Sequence, residues 1–134
     1  MPELSMLLLE PMPDGKFWRV HQPYRYQLPD GRIHEVPEGR LTDLASTPVF
    51  LWRIYPPFGK YTRAAVLHDD FYKTGRIAGV PCERGEADDL LAEVMAEWGC
   101  SEDDCQTFHD GVRIGGGWTW AGYREAEIPR SEEA

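Results

Sequence analysis

The residues best equipped for chemistry stand together in "AAVLHDDFYKTG" (64–75), as His68, Asp69, Asp70 and Tyr72. An imidazole exchanges protons near neutral pH, and a carboxylate behind it fixes its tautomer and stabilises the imidazolium. Ala64, Leu67, His68 and Phe71 follow the i, i+3, i+4, i+7 rule, so His68 is predicted to sit on the apolar stripe that faces the core. Tyr72 lies one turn below it. Asp69 falls on the flank with Ala65 and Tyr72, and Asp70 is expected to point away.

The carboxylate comes from the next helical stretch, "RGEADDLLAEVMAEW" (84–98). There Ala87, Leu91, Val94, Met95 and Trp98 form the inner face, and Asp88 shares it, whereas Asp89 sides with Ala92 and Glu93. A carboxylate on an apolar face must be paired, and so must a buried imidazole. Asp88 is therefore predicted to face His68. Two readings stay open: a general-base dyad that takes a proton from water or a hydroxyl, and a buried His-Asp-Tyr network that simply joins two helices.

Around these residues the sequence predicts an α+β domain, an N-terminal antiparallel β-hairpin or meander packed on a three-helix core. "FWRVH", "YRYQL" and "RIHEV" alternate apolar with polar residues over 17–36, and Asp30-Gly31 marks a hairpin turn. Residues 37–61, rich in Pro, Gly and aromatics, read as a cleft-forming loop with a short helix around Val49 to Ile54. Residues 62–114 hold the helices. The first is capped by Thr62 and stops before Gly75; the second runs from about Arg84 to Trp98; the third is capped by Ser101 with Asp104 three residues on. Cys105, Phe108 and Val112 define the inner face of the third, which places His109-Asp110 on the surface. "GGGWTW" (115–120) reads as a helix stop with Trp118 and Trp120 as a lid, or as a place for a sugar or acyl chain. The acidic residues 124–134 read as a mobile tail.

Composition narrows the partners. With 134 residues, a net charge of -9 and 28% charged residues, the chain is sized for one domain and lacks the basic surface that tracks phosphates, so nucleic acid is not expected. Three cysteines without CxxC spacing suggest reduced thiols in a cytoplasm. "MLLLEPM" is too short to span a bilayer, so no transmembrane segment is expected.

"HDDFY" with an aspartate on the inner face of the next helix resembles the histidine-aspartate-x-x-tyrosine helix of phospholipase A2 enzymes. In those, a second-helix aspartate orients the catalytic histidine. The paired half-cystines and glycine-rich calcium loop of those enzymes are missing here. A resemblance covering most of the chain, carried by "TDLASTP", "PPFGKYTRAAVLHDDFY", "EADDLLAEVM" and "VRIGGGW", is to the bacteriophage and prophage family classed as domain of unknown function 1353. It implies phage origin and a shared cleft, with recurrent polar positions matching Thr42, Asp43, Ser46, His68, Asp69, Tyr72 and Asp88.

The reading that follows is a small phage hydrolase acting on an ester or amide of phospholipid or cell wall. His68 is the base, Asp88 orients it and Tyr72 positions Asp88. Asp69 and Asp43 are candidate ligands for calcium or zinc. Ser46 is a candidate nucleophile, although no Gly-x-Ser-x-Gly elbow surrounds it, and Asp43 or Ser46 could instead cap the helix that follows. The alternative is a virion or assembly component, a tail or head-tail protein whose polar network is structural and whose aromatics contact other virion proteins. Expression in the host cytoplasm suits both.

Overall fold

A computed structural model describes residues 2–14, 17–42 and 60–133, with side chains described through 126. Asp43, Ser46 and the short helix around Val49 to Ile54 lie outside the described residues. Among the described residues the fold is α+β: five short strands, an antiparallel helix pair with a small hairpin between its members, then two more helices.

The first sheet is antiparallel in the order β1 (Leu9–Pro11), β2 (Trp18–Val20), β5 (Leu41–Thr42). β3 (Tyr24–Gln27) and β4 (Ile33–Val36) form the predicted hairpin, with Tyr26 opposite His34. Gly31 supplies the positive φ of its turn. Of the two arrangements considered for this region the hairpin holds, and the meander does not, because β2 pairs with β1 and β5 and not with β3. Alternation does its work in β3 and β4: Tyr24, Tyr26, His34 and Val36 point inward and their neighbours outward.

Helix α1 (Thr62–Thr74) follows, then the hairpin β6 (Arg76–Ile77) and β7 (Val80–Pro81), which the sequence reading did not anticipate. Next come α2 (Arg84–Glu97), α3 (Glu102–Gly115) and α4 (Gly117–Glu133). α1 packs on α2, α2 on α3, and α4 on α1 and α3. Tyr61, not Thr62, is the N-cap of α1, and Thr62 is already helical. Ser101 caps α3 as predicted, accepting from the Asp104 amide at 3.1 Å.

α4 corrects the three-helix count. Gly116 ends α3 as the sequence suggests, but a new helix starts at once and runs through the stretch read as a lid and an acidic tail. Trp118 is 91% exposed and covers nothing, whereas Trp120 packs edge-on against Tyr72 at 5.2 Å. Among the described residues no helix is long and apolar enough to cross a membrane. All three cysteines are free, and burial pushes the Cys82 thiol up to about 11, so it is held as the unreactive thiol.

Candidate functional site

α1 brings His68 and Tyr72 to one side, a turn apart, and α2 brings Asp88 to meet them. His68 Nε2 lies 2.7 Å from Asp88 Oδ1, and the Tyr72 hydroxyl donates to the same oxygen at 2.6 Å. The pairing is with Asp88, as the helical face predicts, and Asp89 is turned away to His109 at 2.8 Å. All three side chains of the network are buried, His68 at 1% exposure and Tyr72 and Asp88 at 0%.

The other carboxylate oxygen faces two arginines. Arg113 Nη1 donates to Asp88 Oδ2 at 2.9 Å, and Arg84 Nη1 is 3.4 Å from it. Burial by itself would raise the Asp88 carboxyl, but the hydrogen bonds from His68, Tyr72 and Arg113 outweigh it. The carboxyl is held below its ordinary 3.8. Burial and the bond to Asp88 push the Tyr72 phenol upward, so it remains a donor.

An ionised carboxylate at Nε2 requires an N–H there, which makes Nδ1 the bare, basic nitrogen of a neutral His68. The arrangement can therefore take a proton at Nδ1 and stabilise the resulting imidazolium from behind. The sequence reading missed both arginines; Arg84, four residues before Asp88 on the same helix, was the available signal.

Asp70 does not point away. It is 2% exposed, 2.7 Å from His34 Nε2 through Oδ2 and 3.0 Å from Arg40 Nε through Oδ1. His34 Nδ1 accepts from the Ala78 amide at 2.9 Å, so both ring nitrogens are occupied. This second His–Asp pair ties β4, α1 and the β6–β7 hairpin together and leaves no nitrogen for chemistry. The alternation of "RIHEV" was the signal that His34 faces inward.

Asp69 is also buried, with Lys73 Nζ 3.4 Å from its Oδ2. Among the described residues no group of three or more His, Cys, Asp or Glu could hold a metal ion. Asp43, the other expected ligand, and Ser46, the expected nucleophile, lie outside the described residues. His68, Asp69, Tyr72 and Asp88 are all buried. A groove of about 660 Å³ lies instead between α2 and α3, lined by Asp89, Glu93, Glu102, Asp103 and His109 among others.

No curated protein and no solved structure matches the chain significantly. The family described as protein of unknown function (DUF1353) matches residues 18–112, from β2 to the last turn of α3, with His34, His68, Asp70, Tyr72 and Asp88 all inside the match. The match covers well over half of the chain, which therefore belongs to that family.

Proposed function

We propose that the protein is a small phage-encoded hydrolase in which His68 Nδ1 activates water against an ester or amide, with Asp88 as its orienting carboxylate and Tyr72 as the residue that positions Asp88. The observation that carries this is the asymmetry of the two buried histidines. His34 has both ring nitrogens committed, one to Asp70 and one to the Ala78 amide. The His68–Asp88 bond commits Nε2, and the proton it places there makes Nδ1 the basic nitrogen.

The pair and the tyrosine one turn below have the arrangement that the resemblance to the phospholipase A2 helix implies, which favours phospholipid as substrate, with peptidoglycan as the other candidate. Asp69, beside Lys73, and Asp43 are the candidate ligands for calcium or zinc in this reading.

The burial of His68, Tyr72 and Asp88 favours a second reading, in which the network is a fully bonded joint between α1, α2 and α3. The protein is then an assembly component whose contact surface includes Ile114 and Trp118, 86% and 91% exposed. Purified protein decides between them. As a hydrolase, the wild type releases fatty acid from phospholipid vesicles or fragments from peptidoglycan, and His68→Gln folds but turns over about a hundredfold more slowly or worse. No turnover on either substrate, with infectious particles still formed by His68→Gln phage, overturns the hydrolase reading.

A further inference from the structure

The segment "VRIGGGW" (112–118) begins as the third helix ends, and three of its residues meet at the far side of Asp88. Arg113 supplies its guanidinium to Oδ2 at 2.9 Å. The Val112 carbonyl accepts from Arg84 Nη1 at 3.0 Å, and the Arg113 carbonyl accepts from Arg84 Nη2 at 3.3 Å. Those carbonyls belong to the last turn of α3, where the Val112 carbonyl also accepts from the Gly116 amide at 2.8 Å, and a cation there is favoured by the helix dipole. Arg84 is thus held at the end of α3 while its Nη1 reaches Asp88 and, at 3.5 Å, the Tyr72 hydroxyl.

Gly116 makes room for this. A Cβ at that position would stand 2.5 Å from the Tyr72 hydroxyl, 2.5 Å from the Val112 carbonyl oxygen and 3.2 Å from Arg84 Nη1. Its φ is negative and helical, so the glycine is required by close approach and not by backbone conformation.

We infer that the end of α3 is a positioning element for the His68–Asp88 pair: Arg113 and Arg84 hold Oδ2 of the carboxylate, and by doing so they turn Oδ1 to His68 and Tyr72. The carboxylate has two oxygens and four donors, divided two and two. Without the arginines Oδ2 would be a buried anion with no partner, free to rotate and exchange places with Oδ1. With them, the two-to-two division is the arrangement that satisfies every group. The groups that face Asp88 are His68 and Tyr72 from α1, Arg84 from its own helix and Arg113 from α3. Arg113 lies one residue beyond the family match and Gly116 four beyond it. The inference deepens the proposed hydrolase by adding residues that position its orienting carboxylate, yet its test needs no substrate.

That test is the ¹³C carboxyl titration of Asp88 by NMR in the wild type, Arg113→Met and Arg113→Lys. The side chain of Arg113 is 39% exposed, which makes its replacement tolerable to the fold. In Arg113→Met the Asp88 midpoint should rise by about one pH unit, the usual scale for losing an adjacent opposite charge. Arg113→Lys, which keeps the charge, should restore most of it. A generally looser fold would not produce that rescue. An unchanged midpoint in Arg113→Met makes Arg113 an ordinary surface arginine and overturns the inference, as does an equal rise in Met and Lys. Should Arg113→Met fail to fold, Arg113→Gln is read by the same criteria. Absence of hydrolysis by the wild type would count against the proposed function and leave this result standing.

Discussion

At the scale of single residues, Asp88 concentrates the consequences. It accepts from His68, Tyr72 and Arg113 with no exposure of its own, so Asp88→Ala leaves the buried His68 ring N–H and Tyr72 hydroxyl without their acceptor and removes the counter-charge of Arg113. A loss of about 3–5 kcal/mol is expected in urea unfolding, the usual result of breaking a buried ion pair from one side. Tyr72→Phe removes one charge-assisted bond and should lose about 1.5–3 kcal/mol. Because the folded carboxyl lies below its unfolded value, Asp88 contributes stability that is full above about pH 4 and fades as pH falls through the folded value. Asp88→Asn should flatten that part of the acid limb. An unaltered acid limb in Asp88→Asn would show that other carboxylates govern it.

At the scale of elements, what could be read from the sequence depended on how many sides of a helix are covered. The inner face of α2 was legible, and with it the choice of Asp88 over Asp89, because α2 has one buried stripe and an exposed side. α1 is buried at every position from Ala64 to Tyr72, so "away from the core" has no meaning there. Asp70, placed on the outside by periodicity, meets His34 and Arg40, residues 36 and 30 positions earlier. Such a pair is set by how β4 lies against α1, which no local pattern records. The β3–β4 hairpin was legible through its turn; β6 and β7, two residues each, offer no alternation to read. Two outcomes belong to this level. His34→Gln should speed amide exchange at Ala78 about tenfold or more, since that amide loses its acceptor. Gly75→Ala should lower stability by about 1–2 kcal/mol in denaturant. Gly75 caps α1 at φ 66, and a methyl there would push on the Arg124 guanidinium that bonds the Tyr72 and Lys73 carbonyls.

At the scale of the whole molecule, three of the described helices converge on the Asp88 carboxylate and a fourth braces them. α4 lies beyond the family match, and it holds α1 through Trp120 on Tyr72 and Arg124 on the carbonyls of Tyr72 and Lys73. A chain ending at Gly116 should therefore fold with about 2–4 kcal/mol less stability by urea unfolding. An unchanged midpoint would mean that α4 braces nothing. The sequence predicts a lid and a tail here because two glycines and a proline within the helix argue against it on propensity, and its contacts with α1 override that. What the assembled helices accomplish is the presentation of His68 with its proton on Nε2 and a bare Nδ1. The most direct check is ¹⁵N NMR of the His68 side chain near neutral pH. The arrangement predicts a single Nε2–H tautomer in the wild type that becomes mixed in Asp88→Asn; a proton on Nδ1 in the wild type would contradict it.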